Sequence, residues 1–177
     1  MPETTLIIDD DAIFNAVLVR TLERRGHLAH GAADPAAALT VAAKIRPARV
    51  VLELNLNGSS GLALIPQLLA INPACRIVVL TGYASIATAV DAIKLGAVQY
   101  LAKPVEIEAI LGAFENDDEP ELDLVAPDEP LSVDRLEWEH IQRVLNENDG
   151  NISATARALK MHRRTLQRKL SKRPVRT

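Results

Sequence analysis

Over residues 1–114 the chain alternates short apolar runs with longer segments whose apolar residues recur at helical spacing. Residues 6–8 read as a strand ending in Asp9, Asp10 and Asp11. Ile13, Phe14, Val17, Leu18 and Leu22 then mark a helix that Gly26 closes. A weak strand follows at 28–30. Asp34-Pro35 pairs an N-cap residue with proline at the first helical position and opens a helix through Ile45. Residues 50–54 form an apolar strand broken by Glu53, Gly58-Ser59-Ser60-Gly61 reads as a loop, and 62–71 as a helix. Residues 77–80 are strand-like, 85–95 helical up to Gly96, 98–101 strand-like, and a last helix follows Lys103-Pro104 to about Phe114. Five strands alternating with five helices predict an α/β, doubly wound, five-stranded parallel sheet covered on both faces.

The pattern changes after residue 114. Residues 115–131 hold Pro120, Pro127 and Pro130 among acidic side chains, which predicts an extended linker. From 132 to 177 three short helices are expected, a small all-α domain. Asp134 with Glu137 three residues on reads as a capping box, and Leu136, Ile141, Val144 and Leu145 supply the apolar side of the first helix. Residues 148–151 form a turn, Ser153 is placed to cap a second helix through Leu159, and a turn at 160–162 leads into a third ending near Ser171.

Charge sharpens this division. The net −3 of the chain is the sum of −1 over residues 1–114, −9 over 115–134 and +7 over 135–177. A basic tail of this kind is the electrostatic footprint of a nucleic-acid binder. Cys75 is the single cysteine, so neither an intrachain disulfide nor a multi-thiolate metal site is available. No apolar run approaches the ~20 residues of a membrane span, and no signal peptide is visible, so a soluble cytoplasmic protein with no membrane partner is expected.

Polar residues stand where the apolar strands end: Asp9 and Asp10 after the first, Glu53 near the end of the third, Thr81 after the fourth and Lys103 after the fifth. Doubly wound sheets place ligands at the carboxyl ends of their strands. Carboxylates, a hydroxyl and an ammonium gathered there suit Mg²⁺ and a phosphoryl group. Taken singly, Asp11 also reads as a helix cap and Lys103-Pro104 as a turn.

The runs Leu6-Ile7-Ile8-Asp9-Asp10-Asp11, Val51-Leu52-Glu53-Leu54, Leu80-Thr81-Gly82 and Tyr100-Leu101-Ala102-Lys103-Pro104 resemble the receiver domain of bacterial two-component signalling, which has the flavodoxin-like fold. The resemblance implies that Asp10 binds Mg²⁺ directly, that Asp9 acts directly or through water, and that the Asn55 carbonyl and the acceptor carboxylate complete the metal site. It also implies that Thr81 and Lys103 bind the phosphoryl group, that Lys103-Pro104 is cis, and that Tyr100 turns inward as Thr81 moves. The acceptor position is the departure: receivers carry aspartate there, and this chain has Glu53. One extra methylene displaces the carboxylate by roughly a bond length, and about 1 Å of misplacement can cost a hundredfold in rate. Little or no phosphorylation of Glu53 is therefore expected. Glu53 either imitates the phosphorylated state or disables the acceptor, and Mg²⁺ binding is expected to be weakened or absent.

In the tail, Leu166 and Leu170 point inward while Arg164, Gln167, Arg168 and Ser171 share the opposite face. Arg and Gln make bidentate contacts to guanine and adenine in the major groove. Residues 151–159 followed by 162–170 are similar to the Fis-type helix–turn–helix. By that resemblance His162, Arg163, Arg164, Thr165, Gln167, Arg168 and Lys169 enter or flank the groove, with Arg163 the first choice of base reader. Arg157, Arg173 and Arg176 are expected to meet phosphates.

A receiver at 1–114, a linker at 115–131 and a Fis-like domain at 132–177 resemble the RegA/PrrA/ActR group of response regulators. This implies a sensor histidine kinase partner, a homodimer on a two-fold double-stranded DNA site, and redox or respiratory gene control. No catalytic residues are expected. Two rival readings are a phosphohydrolase, from the Asp9-x-Asp11 pattern, and an architectural DNA-binding protein indifferent to position 53.

Overall fold

The computed structural model describes residues 3–82, 84–116 and 133–172. Most of the acidic linker, Tyr83, Arg173, Arg176 and the side chain of Leu136 lie outside that set.

The N-terminal chain runs β1 (Thr4–Ile8), α1 (Ala12–Arg24), β2 (Leu28–Ala32), α2 (Pro35–Ile45), β3 (Arg49–Leu52), β4 (Asn55–Leu56), β5 (Ser59–Ser60), a 3₁₀ turn (Gly61–Ala63), α3 (Leu64–Ile71), β6 (Arg76–Thr81), α4 (Ile86–Leu95), β7 (Gln99–Ala102) and α5 (Ile107–Glu115). The five-stranded sheet has order β2-β1-β3-β6-β7, and all its pairings are parallel. Period-two alternation divides its core. Leu6 and Ile8 pack beneath α2, α3 and α4 with Ala38, Ile65 and Ala89, whereas Ile7 packs on the other face with Leu18 and Leu22 of α1 and Ile110 of α5. The central strands are therefore apolar on both faces, as a parallel sheet between helix layers requires.

Local chemistry sets the helix ends. Asp11 Oδ1 accepts from the amides of Ile13 and Phe14, each at 3.0 Å. Asp34 accepts from Ala37 N at 2.8 Å with Pro35 at the first turn, and Gly96 ends α4 in a left-handed conformation at φ 111°.

The remaining chain forms α6 (Val133–Glu147), α7 (Ile152–Ala158) and α8 (Arg163–Ser171) around Ile141, Leu145, Ala156, Leu166 and Leu170.

Four local expectations change. Ile13 and Val17 are 79% and 59% exposed, because the buried stripe of α1 runs through Asn15, Leu18 and Leu22. Of the stretch read as a loop at 58–61, residues 58–60 belong to a small antiparallel hairpin, β4–β5, and Gly61 opens the 3₁₀ turn. Asp134 lies inside the first turn of α6 rather than capping it. The cap of α7 is Asn151, not Ser153: its Oδ1 accepts from Ala154 N at 3.0 Å.

Candidate functional site

Glu53 follows the end of β3, buried at 4% exposure, and its two carboxylate oxygens have separate partners. Oε1 accepts from the amides of Leu54 (2.7 Å) and Asn55 (3.3 Å), and Oε2 accepts from the Lys103 ammonium at 3.1 Å. Gly61 makes room for this turn: a Cβ there would collide with the Glu53 carbonyl, so the absence of one lets the 3₁₀ turn lie against residues 53–54. Lys103, at the end of β7 and followed by a cis bond to Pro104, also donates to Asp9 Oδ2 at 2.5 Å. The Phe14 ring covers the ammonium, with Nζ 4.1 Å from its centroid. One cation thus joins two buried carboxylates from β1 and β3. Burial pushes the Asp9 carboxyl above its ordinary range, although Lys103 pulls it the other way.

Asp9 Oδ1 accepts from Asp11 N at 2.8 Å, and the half-buried Asp10 accepts on Oδ2 from Asn57 N at 3.1 Å. The Asn15 amide donates to the carbonyls of Asp9 (3.0 Å) and Ala32 (2.9 Å), which fixes the ends of β1 and β2 together. The residues assigned to Mg²⁺ are thus neighbours, but they do not fit the ion as they stand. Both oxygens of Asp9 and both of Glu53 already accept hydrogen bonds, and Lys103 occupies the space between them. Among the described residues no set of three or more His, Cys, Asp or Glu forms a metal cage.

Thr81 is fully buried at the end of β6. Tyr100, on the neighbouring strand β7, is 1% exposed and turned inward. Its hydroxyl accepts from Ser85 N at 3.2 Å and shares a 2.8 Å hydrogen bond with the Thr88 hydroxyl on α4. Burial pushes this phenol up to about 12.

On α8, Leu166 and Leu170 are buried, while His162, Arg163, Arg164, Gln167 and Arg168 are exposed. Thr165 is half-buried. Lys169 is half-buried too, and its ammonium lies 2.7 Å from Glu137 on α6. Lys169 therefore ties α8 to α6, a partner the linear sequence does not reveal. Arg157 on α7 is exposed.

Phe14, Asn15 and the Asn57 amide were not anticipated as site groups. Asn15 carried a signal, as the one amide within an otherwise apolar helical stripe. Phe14 carried none, because its ring meets Lys103 across 89 positions.

A five-stranded parallel sheet with acidic residues, a buried threonine and a lysine at its carboxyl rim is a receiver. Joined to a helix–turn–helix with an exposed basic recognition face, it defines a DNA-binding response regulator. Comparison with known proteins agrees: residues 5–115 match the response regulator receiver domain, and residues 132–172 match the bacterial regulatory protein, Fis family. The chain is 46% identical over 172 residues to the photosynthetic apparatus regulatory protein RegA of Rhodovulum sulfidophilum, covering 97% of this chain and 92% of that protein. It is 44% identical over 171 residues to the acid tolerance regulatory protein ActR of Rhizobium meliloti, covering 97% and 87%. Among solved structures, a response regulator from Burkholderia pseudomallei with a phosphorylated aspartic acid, calcium ion and citrate matches at TM-score 0.62 and 48% identity, over 96% of this chain and 99% of that one.

The chain belongs to the RegA/ActR family of two-component response regulators. The relatives it matches along nearly its whole length are transcriptional response regulators rather than enzymes, which removes the phosphohydrolase reading. No helix among the described residues is long and apolar enough to cross a membrane.

Proposed function

We propose that the receiver of this regulator is set by Glu53 itself rather than by phosphoryl transfer, and that it holds the arrangement a phosphoryl group induces in its relatives. The observation that carries this reading is the division of the Glu53 carboxylate between two backbone amides and the Lys103 ammonium, donors suited to a phosphoryl anion. The inward, hydrogen-bonded Tyr100 supports it, since the family resemblance couples that position to the activated site. The imitation is incomplete: a carboxylate brings one negative charge where a phosphoryl group brings about 1.5 to 2. In this reading Lys103 is the resident cation, Asp9 and Asp10 position it and the adjoining loop, and the receiver works without Mg²⁺.

The output is transcription control of redox or respiratory genes from the cytoplasm by a homodimer on a two-fold DNA site, with half-sites about one helical turn apart. His162, Arg163, Arg164, Thr165, Gln167 and Arg168 enter or flank the major groove, and Lys169 braces the helix. The receiver spans 1–114, the linker 115–131 and the DNA-binding domain 132–177. A sensor histidine kinase docks without transferring a phosphoryl group to position 53.

The test is DNA affinity at fixed salt for this chain and for Glu53→Asp. The parent should bind tightly and ignore acetyl phosphate with Mg²⁺, whereas Glu53→Asp should match it only after both are added. A parent weaker than activated Glu53→Asp would show that Glu53 locks the resting state. Affinity indifferent to position 53, with steep salt dependence and little sequence preference, would favour the architectural reading.

A further inference from the structure

Trp138, the single tryptophan of the chain, lies on α6 and is only 5% exposed, yet it is not part of the Ile141–Leu145–Leu166–Leu170 core of its own domain. Its burial comes from the receiver. Trp138 and Gln142, one helical turn apart, close a small cavity whose other walls are Leu54, Ser60, Leu62 and Thr88. Two flanking contacts extend the surface: Asn146 donates to Asp91 of α4 at 3.4 Å, and the turn residue Gly58 lies against Leu170, such that a Cβ there would be 3.5 Å from the Leu170 Cβ.

Two of the receiver residues in that wall also touch the functional site. Leu54 donates its amide to Glu53 Oε1 and places its side chain in the wall. Thr88 is joined to Tyr100 by a hydroxyl–hydroxyl hydrogen bond and lines the same space. The two groups that report the state of the site, Glu53 and Tyr100, are thus each one residue away from Trp138. Meanwhile His162, Arg163, Arg164, Gln167 and Arg168 stay exposed while α6 is seated.

We propose that the Trp138–Gln142–Asn146 face of α6 is a docking surface for the chain's own receiver, seated between the β4–β5 hairpin and α4, which transmits the state of the Glu53 site to the DNA-binding domain without masking its recognition helix. Leu54 and Thr88 are the positioning residues of this path. The seat is built to be reversible: the Gln142 amide nitrogen is buried there without a hydrogen-bond partner among the described residues, and an unsatisfied buried donor weakens the contact that contains it. The proposal concerns where the signal crosses between domains, and it stands whether Glu53 imitates or silences phosphorylation.

Acrylamide quenching of Trp138 fluorescence in the full chain, without DNA, tests it. Native Trp138 should be quenched several-fold less than in the urea-unfolded chain. Gln142→Glu, which places a charge in the seat from the effector side, and Leu62→Asp, which does so from the receiver side, should each raise quenching several-fold. Gln142→Glu does not touch the receiver fold, so it decides the matter if Leu62→Asp fails to fold. Glu53→Ala should raise quenching about twofold with helix content retained. Native quenching equal to that of the unfolded chain, or a Gln142→Glu chain as protected as its parent, overturns the dock. Unchanged quenching in Glu53→Ala overturns the transmission. None of these outcomes depends on DNA affinity, so failure here is distinct from failure of the phosphoryl-imitation reading.

Discussion

In the receiver, Asp9 and Glu53 sit at 3% and 4% exposure and share the Lys103 ammonium; in the DNA-binding domain, His162, Arg163, Arg164 and Arg168 lie in solvent at and beyond the start of one helix. The two regions use charge for opposite ends. A buried, mutually paired cluster fixes a conformation, because removing its shared cation leaves two carboxylates uncompensated in a low-dielectric setting. An exposed face of one sign fixes nothing internally and remains available to a polyanion. A change of one methylene at Glu53 matters because it falls in the first kind of region, where it alters which donors a carboxylate reaches. The same change on α8 would only alter the reach of a solvated side chain.

The most forceful way to break this contrast is Lys103→Met. It removes the shared cation and leaves two buried carboxylates facing one another. The expected loss of receiver stability is about 3–5 kcal/mol, read from the urea unfolding midpoint at constant m-value. A loss below about 1 kcal/mol would mean that the cluster is solvated and that the two regions do not differ in kind.

Arg163→Ala sharpens the other side. It should leave the unfolding midpoint unchanged and cost about 1–3 kcal/mol of DNA affinity, relaxing sequence preference at one base position. Arg157→Ala, by contrast, should weaken all sequences alike and lower the salt slope by about 1. Equal effects of the two on sequence preference would remove Arg163 as a base reader.

These contrasts also show which parts of the molecule its linear pattern discloses. The sheet and its rim are local: strands are apolar runs, Asp34-Pro35 and Gly96 punctuate helices by their own backbone chemistry, and Asp9, Glu53, Thr81 and Lys103 sit at the strand ends. The choice of Asn151 over Ser153 as a cap turns on one side chain's reach to Ala154 N, which composition does not specify. The true buried face of α1 was hidden because Asn15 is buried through hydrogen bonds to strand carbonyls, against its polarity, while Ile13 and Val17 are exposed against theirs. The Trp138 seat was illegible for a different reason: its walls come from residues 54–88, fifty or more positions away, and no period links them. The lone tryptophan of the chain was the available hint.

The smallest expected effect tests whether pairing or burial is what counts. Arg25 and Glu108 form an ion pair at 2.5 Å, as short as that of Lys103 with Asp9, but with side chains 40% and 66% exposed. The hydrogen bond from the Arg25 guanidinium holds the Glu108 carboxyl below its ordinary value of 4.5. A lowered carboxyl pKa contributes stability that is present above the unfolded value and is lost as pH falls through the folded one, so any contribution would fade in a window just below pH 4.5. Solvent and salt screen a pair at the surface, and both long side chains lose freedom in forming it. Glu108→Gln should therefore leave the urea midpoint unchanged within error from pH 5 to 8 at about 0.15 M salt, and the pH dependence of the variant should overlay that of the parent below pH 4.5. A clear destabilisation at neutral pH would show that a short ion pair stabilises this fold wherever it stands. The Lys103 cluster would then owe its importance to contact geometry rather than to its burial.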